Sequence, residues 1–115
     1  MHEYSIVQAL VERVEAEART RGATAVHRLS VRIGELSGVD VELFTTAYDT
    51  FRDRTICQAA AIDVHVVPSQ WACEACGGAI VKGGPLRCSS CGGAARLAAG
   101  DEIVLDRIEL EVPDV

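Results

Sequence analysis

The sequence predicts an α+β protein: a small mixed β-sheet covered by two helices, with an inserted zinc-ribbon-like module. Three observations carry this expectation. A stretch near the amino terminus repeats apolar residues at helical spacing, and three later stretches alternate with period two. Four of the five cysteines form two CxxC pairs between the last two alternating stretches. A chain of 115 residues has room for one ordinary domain carrying a smaller module. Residues 1–68 with 100–115 are expected to form the α+β domain, and residues 69–99 the inserted module.

The first element is "SIVQALVERVEAEARTRG". Ile6, Val7, Leu10, Val11, Val14 and Ala18 share a helical face, with Glu12, Arg13, Glu15, Glu17 and Arg19 opposite. Ser5 and Gln8 have the spacing of a capping box, Arg19 and Arg21 suit the negative end of the helix dipole, and Gly22 is a natural stop. In "HRLSVRIGEL", Leu29, Val31 and Ile33 alternate with Arg28, Ser30 and Arg32, the pattern of a half-buried strand. "LSGVD" turns the chain, and Asp40 is placed to cap a second helix whose apolar face is Val41, Phe44, Ala47, Tyr48 and Phe51. "CQAAA" leads on to a strand, "IDVHVVP", with Ile62, Val64 and Val66 on one side. The last stretch, "DEIVLDRIELEV", holds Ile103 and Leu105 at one parity and Ile108, Leu110 and Val112 at the other. That slip near Asp106 predicts a bulge or two consecutive strands.

Composition excludes several functions. With aromatics at 4%, the core must be built from Val, Ile, Leu and Ala. A net charge of −6 argues against a nucleic-acid partner, which would require a basic face. No apolar run approaches the roughly 20 residues that span a bilayer, and Glu3 and Glu12 sit where a signal peptide is basic and then apolar. A cytoplasmic protein with no membrane partner is expected.

The stretch "WACEACGGAIVKGGPLRCSSCGG" holds six of the ten glycines. It is too short and too glycine-rich to bury a core of its own. Cys73 and Cys76, with Cys88 and Cys91, form two knuckles that supply four sulfurs, a closed tetrahedral set suited to structural Zn(II). Rubredoxin-like iron uses the same four sulfurs. The eleven residues between the pairs suffice for a short hairpin with "GGP" as its turn. Metal replaces the missing core and serves folding, and no open position is implied for catalysis. Cys57 stands apart as a packed small hydrophobe. His27 shares parity with Leu29 and Val31, His65 faces outward beside Asp63, and both read as structural or surface residues. Neither has a partner spacing that suggests catalysis, and no catalytic residue or enzyme activity is assigned.

The opening "MHEYS" is an eligible chelate. The α-amine of Met1, the amide and imidazole nitrogens of His2 and the amide of Glu3 can close rings around one ion. Square-planar nitrogen coordination favours Ni(II) or Cu(II) over Zn(II). A frayed terminus with an incidental histidine is the plainer alternative.

The starting MHE, a following Ser and amphipathic helix, "VRIGELSGV", the inserted CxxCG…CxxCGG module and a strand-rich end together resemble the HypA/HybF family. These are the nickel metallochaperones of NiFe-hydrogenase maturation, some of which also supply urease. The resemblance implies an α+β fold with an added zinc domain, so that 1–68 plus 100–115 is the nickel-binding part and 69–99 the zinc-binding module. It implies transferred Ni(II) at His2, with the Met1 amine and Glu3 contributing, and structural Zn(II) on Cys73, Cys76, Cys88 and Cys91. It further implies a HypB-like GTPase partner and docking on the immature hydrogenase large subunit. The glycine-rich connections flanking the module would permit strand exchange, so a homodimer is among the expected partners. Tyr4 stands where Leu is common, the "TTAYDT" run is unusual, and Cys57 lies outside the family pattern. Two other classes compete: a zinc-ribbon adaptor that binds protein or nucleic acid, and a thiol-redox enzyme. Lys82, Arg87 and Arg96 are too few for a phosphate-tracking patch, and redox chemistry requires one CxxC, not two.

Overall fold

A computed structural model describes residues 2–113 of the chain. The elements run α1 (Glu3–Arg21), β1 (Ala25–Gly34), α2 (Val41–Phe51), β2 (Ala61–Val67), β3 (Gln70–Cys73), β4 (Ala79–Ile80), β5 (Ala95–Ala99) and β6 (Ile103–Glu111). They form two three-stranded sheets, ordered β2-β1-β6 and β4-β3-β5.

Helix α1 buries Val7, Val11, Val14 and Ala18, one stripe at helical spacing. Its end is a Schellman closure: Gly22 adopts φ 65°, and the Ala23 N–H donates to the Ala18 carbonyl at 2.9 Å. The expected Ser5–Gln8 capping box does not form. The helix begins two residues earlier, at Glu3, so Ser5 lies within its first turn, and His2 occupies the cap position without a side-chain cap. Asp40 does cap α2, accepting the Leu43 N–H at 3.0 Å. Phe44 and Tyr48 are fully buried on the predicted face, with Val41, Ala47 and Phe51 packed around them.

Strand β1 is the centre of the larger sheet, parallel to β2 and antiparallel to β6. Leu29, Val31 and Ile33 face the helices and are buried. The opposite face is open and carries ion pairs of Arg28 with Asp63 (2.7 Å) and Glu109 (3.5 Å), and of Arg32 with Asp106 (3.2 Å). The parity slip in the last strand is a bulge: Ser30 pairs with Arg107 and Val31 with Leu105, leaving Asp106 as the extra residue. Leu105, Ile108 and Leu110 therefore all pack on the core.

A second irregularity puts His27 on the surface. Val26 pairs with Leu110 and Arg28 with Glu109, so His27 is itself skipped. The bulge turns its side chain outward, 61% exposed and 3.4 Å from Glu111, although parity had aligned it with Leu29. Val66 also departs from expectation, being 55% exposed at the end of an edge strand, whereas Ile62 and Val64 pack on the core.

The smaller sheet holds a strand, Ala95–Ala99, that the sequence patterning did not reveal. The segment between the cysteine pairs does not fold back on itself about "GGP". Instead β4 pairs with β3, and Arg87 bridges Ala94, so each CxxCGG is the tip of its own hairpin.

Candidate metal centres

Each knuckle is built by the same backbone bonds. The Cys73 N–H donates to the Gly78 carbonyl (2.8 Å) and the Gly77 N–H to the Cys73 carbonyl (2.9 Å). In the second knuckle the Cys88 N–H donates to Gly93 and the Gly92 N–H to Cys88, both at 2.9 Å. Gly77 and Gly92 both take φ 75°, a turn that side chains disfavour.

The four sulfurs of Cys73, Cys76, Cys88 and Cys91 lie within 4.8 Å of one another. Cys73 and Cys91 are separated by 3.3 Å, and Cys76 and Cys88 by 3.7 Å. A tetrahedral zinc–thiolate site has S···S edges of roughly 3.8 Å, given Zn–S bonds near 2.3 Å. The cluster thus has the size and donor chemistry of a closed four-sulfur site. The backbone N–H groups of Cys91 and Ser90 hold the Cys88 thiol down to about 6. Likewise the Cys76 N–H lowers Cys73. The Gly93 N–H also draws Cys91 down, but the three neighbouring thiols outweigh it and push the group up to about 12. Four thiolates at this spacing call for a central cation.

Cys57 is not drawn into this cluster. It lies in the turns after α2, fully buried in the helix–sheet core. Burial pushes its thiol up to about 11, with the Glu15 charge adding to the effect. Beside it, the Tyr48 hydroxyl (2.9 Å) and the Arg52 guanidinium (2.8 Å) both donate to the Ala60 carbonyl.

At the other candidate site, His2 is exposed and its carbonyl accepts the Ile6 N–H at 3.2 Å, opening the α1 ladder. Glu3 is the first helical residue, so its N–H has no carbonyl four residues earlier. Its carboxylate is occupied elsewhere, accepting the Asp40 N–H at 3.2 Å. That bond is the main reason its pKa is lowered. His2, Glu3, Tyr4 and Ser5 form one wall of an open cavity of about 440 Å³, with Leu43, Thr46, Ala47 and Thr50 of α2 as the other. Tyr4 meets Phe51 edge-on, with ring centroids 5.3 Å apart. Met1, the remaining residue of the expected chelate, lies outside the described residues.

Sequence patterning also passed over Glu35, inside "RIGELSGV". Its carboxylate accepts from the Ser69 hydroxyl at 2.6 Å and pairs with the Lys82 ammonium. These partners lie 34 and 47 residues away in the chain, so no local spacing could have signalled them.

Fold and donor sets together define a metal-binding α+β protein with a four-cysteine module grafted between two of its strands. Residues 1–110 match the model of the family described as hydrogenase/urease nickel incorporation metallochaperone, HypA. A hydrogenase maturation factor HypA of Nitrosospira multiformis is 38% identical over 112 residues, covering 96% of this chain and 97% of that protein. The HypA of Shewanella halifaxensis is 37% identical over 113 residues, covering 96% and 98%. The solution structure of the Ni metallochaperone HypA from Helicobacter pylori superposes with a TM-score of 0.75 at 29% identity, covering 98% of this chain and 100% of that one. The chain belongs to the HypA metallochaperone family. Among the described residues, no helix is long and apolar enough to cross a membrane.

Proposed function

We propose that this protein binds Ni(II) at its amino terminus and delivers it during maturation of NiFe-hydrogenase, with urease as a further recipient. Membership of the nickel-incorporation family across 1–110 is the observation that carries the reading. The α-amine of Met1, the amide and imidazole of His2 and the amide of Glu3 supply the nitrogens. Because the Glu3 N–H serves no helical bond, it can be given up to the metal without breaking α1. The positive end of the α1 dipole opposes a divalent cation and so limits affinity, which suits a donor that must let go. Binding displaces protons from the amine and amides, so it weakens as pH falls.

Zn(II) is held by Cys73, Cys76, Cys88 and Cys91 and shapes the module, 69–99, on a nickel-binding body formed by 1–68 and 100–115. The protein acts without turnover and is not an enzyme. It works in the cytoplasm with a HypB-like GTPase and docks on the immature hydrogenase large subunit, itself alone or as a homodimer. Neither nucleic acid nor membrane takes part.

The test is a Ni(II) titration of zinc-loaded protein carrying its native amino terminus. A yellow d–d absorption band of square-planar nickel is expected, absent in His2→Ala and in protein with one extra residue ahead of Met1. An unchanged band in either variant overturns the amino-terminal site. Zinc content stays the same throughout.

A further inference from the structure

We propose that Glu35 is a positioning residue whose side chain, held by Ser69 and Lys82, fixes the orientation of the cysteine module on the α+β body. The inference stands on geometry at the joint and does not depend on the nickel reading.

The molecule is elongated. Its radius of gyration is 18.3 Å and its extents are 59 × 31 × 17 Å, whereas a compact chain of this length has a radius near 13 Å. The module therefore projects from the body, joined to it by two short links, one leaving between Val67 and Gln70 and one returning between Ala99 and Ile103. At their root the backbone is tightly tied to the end of β1. The Glu35 N–H donates to Val67 (2.9 Å), the Gly34 N–H to Glu102 (2.8 Å) and the Leu36 N–H to Gly100 (2.8 Å). The approach is so close that a Cβ on Gly34 would sit 2.2 Å from the Gly100 carbonyl carbon and oxygen.

These bonds hold the root of the stalk but do not govern rotation about it. Beyond the root, the β4-β3-β5 sheet narrows to two strands at the Gln70–Ala99 pair, where the register shifts before Trp71. Two-stranded ribbons twist more than wide sheets, and a bulge adds local bend. A contact away from the ribbon axis is what resists that motion, and Lys82 provides one. It lies past β4, on the arm leading to the second knuckle, and reaches back to Glu35 on the body. Ser69, 5% exposed, completes the arrangement by giving its hydroxyl to the same carboxylate oxygen. One carboxylate thus joins the body, the stalk and the lateral arm. This shared geometry distinguishes it from an isolated surface pair, which would hold little.

The experiment is to measure amide residual dipolar couplings on the zinc-loaded full chain, comparing β1 and β6 with β3 and β5. In the unaltered protein, body and module should share one alignment magnitude. In Lys82→Ala the module's magnitude should fall below that of the body while zinc stoichiometry is unchanged. Lys82→Gln provides a second variant should alanine disturb the arm. Exchanging the charges, Glu35→Lys with Lys82→Glu, should restore the common value. Equal magnitudes for body and module in both single variants would overturn the proposal, as would failure of the exchanged pair to restore them.

Discussion

Glu35 experiences two donors at once, and its carboxyl group is held down to about 2, first by Lys82 and then by Ser69. A carboxyl depressed in the folded state stabilises it above the ordinary value near 4.3, and that contribution fades as pH falls toward 2. Between pH 6 and pH 4.5 the Glu35 side-chain carbon should show no titration by NMR. In Lys82→Ala its midpoint should rise toward the ordinary value, with Ser69 still holding it partly down; a midpoint unchanged by the substitution would contradict the ion pair. Cys57 provides a different lesson. It is fully buried among aliphatic and aromatic neighbours and remote from the metal cluster. Cys57→Ala should lower unfolding stability by about 1 kcal/mol through lost packing. Zinc content should be unaffected, as checked by urea denaturation beside metal analysis.

At the scale of elements, α2 owes its start to Asp40, whose side chain and backbone act separately. The carboxylate caps Leu43, while the N–H of the same residue donates to Glu3 at the head of α1. Asp40→Ala should therefore cost about 1 kcal/mol of stability through the lost cap. The backbone tie to Glu3 remains available, so amide shifts around the start of α1 should change little. Strand β6 absorbs one extra residue in its bulge. Deleting Asp106 would place Leu105 and Ile108 two residues apart, so both would still face the core along a regular strand, and the bulge and the Asp106–Arg32 ion pair would be lost. The expected cost is small, about 1 kcal/mol or less, because no large aliphatic side chain leaves the core and an exposed ion pair contributes little. A urea midpoint far below that of the parent protein would show that the strand needs the bulge itself.

At the scale of the whole molecule, the described residues pack into two cores of different kinds. One is aliphatic and aromatic, from Val7 and Val11 to Phe44 and Tyr48. The other consists of Cys73, Ile80 and Cys88 with Trp71 and Ala95 against them, too small to hold three short strands without a metal at its centre. Stripping zinc with a strong chelator should erase hydrogen-exchange protection in β3 and β5 and leave it in β1 and α1. Concerted loss from both sheets would mean that the body does not stand alone.

Much of this was legible in advance. Both helices, the alternating strands of the body, the slip at Asp106 and the four-sulfur set follow from periods of 3.6 and 2 and from ligand spacing, all properties of short windows of chain. The bulge at His27 was hidden because Val26 and Leu29 are both inward, and parity counted from either one alone gives a consistent but incomplete pattern. Strand β5 was hidden because alanine and glycine around Leu97 carry little periodic signal. The capping box failed because Glu3, not Ser5, begins the helix once its carboxylate is drawn to Asp40. Glu35 was invisible for a deeper reason. Its partners lie outside the strands, Ser69 on the link into the module and Lys82 in the turn past β4, and the meeting of Glu35 with Lys82 across 47 residues exists only once β1 and the module stalk are bonded at Gly34 and Gly100. Local pattern is enough to specify an element or a ligand set. How two such units face one another depends on the path of the folded chain between them.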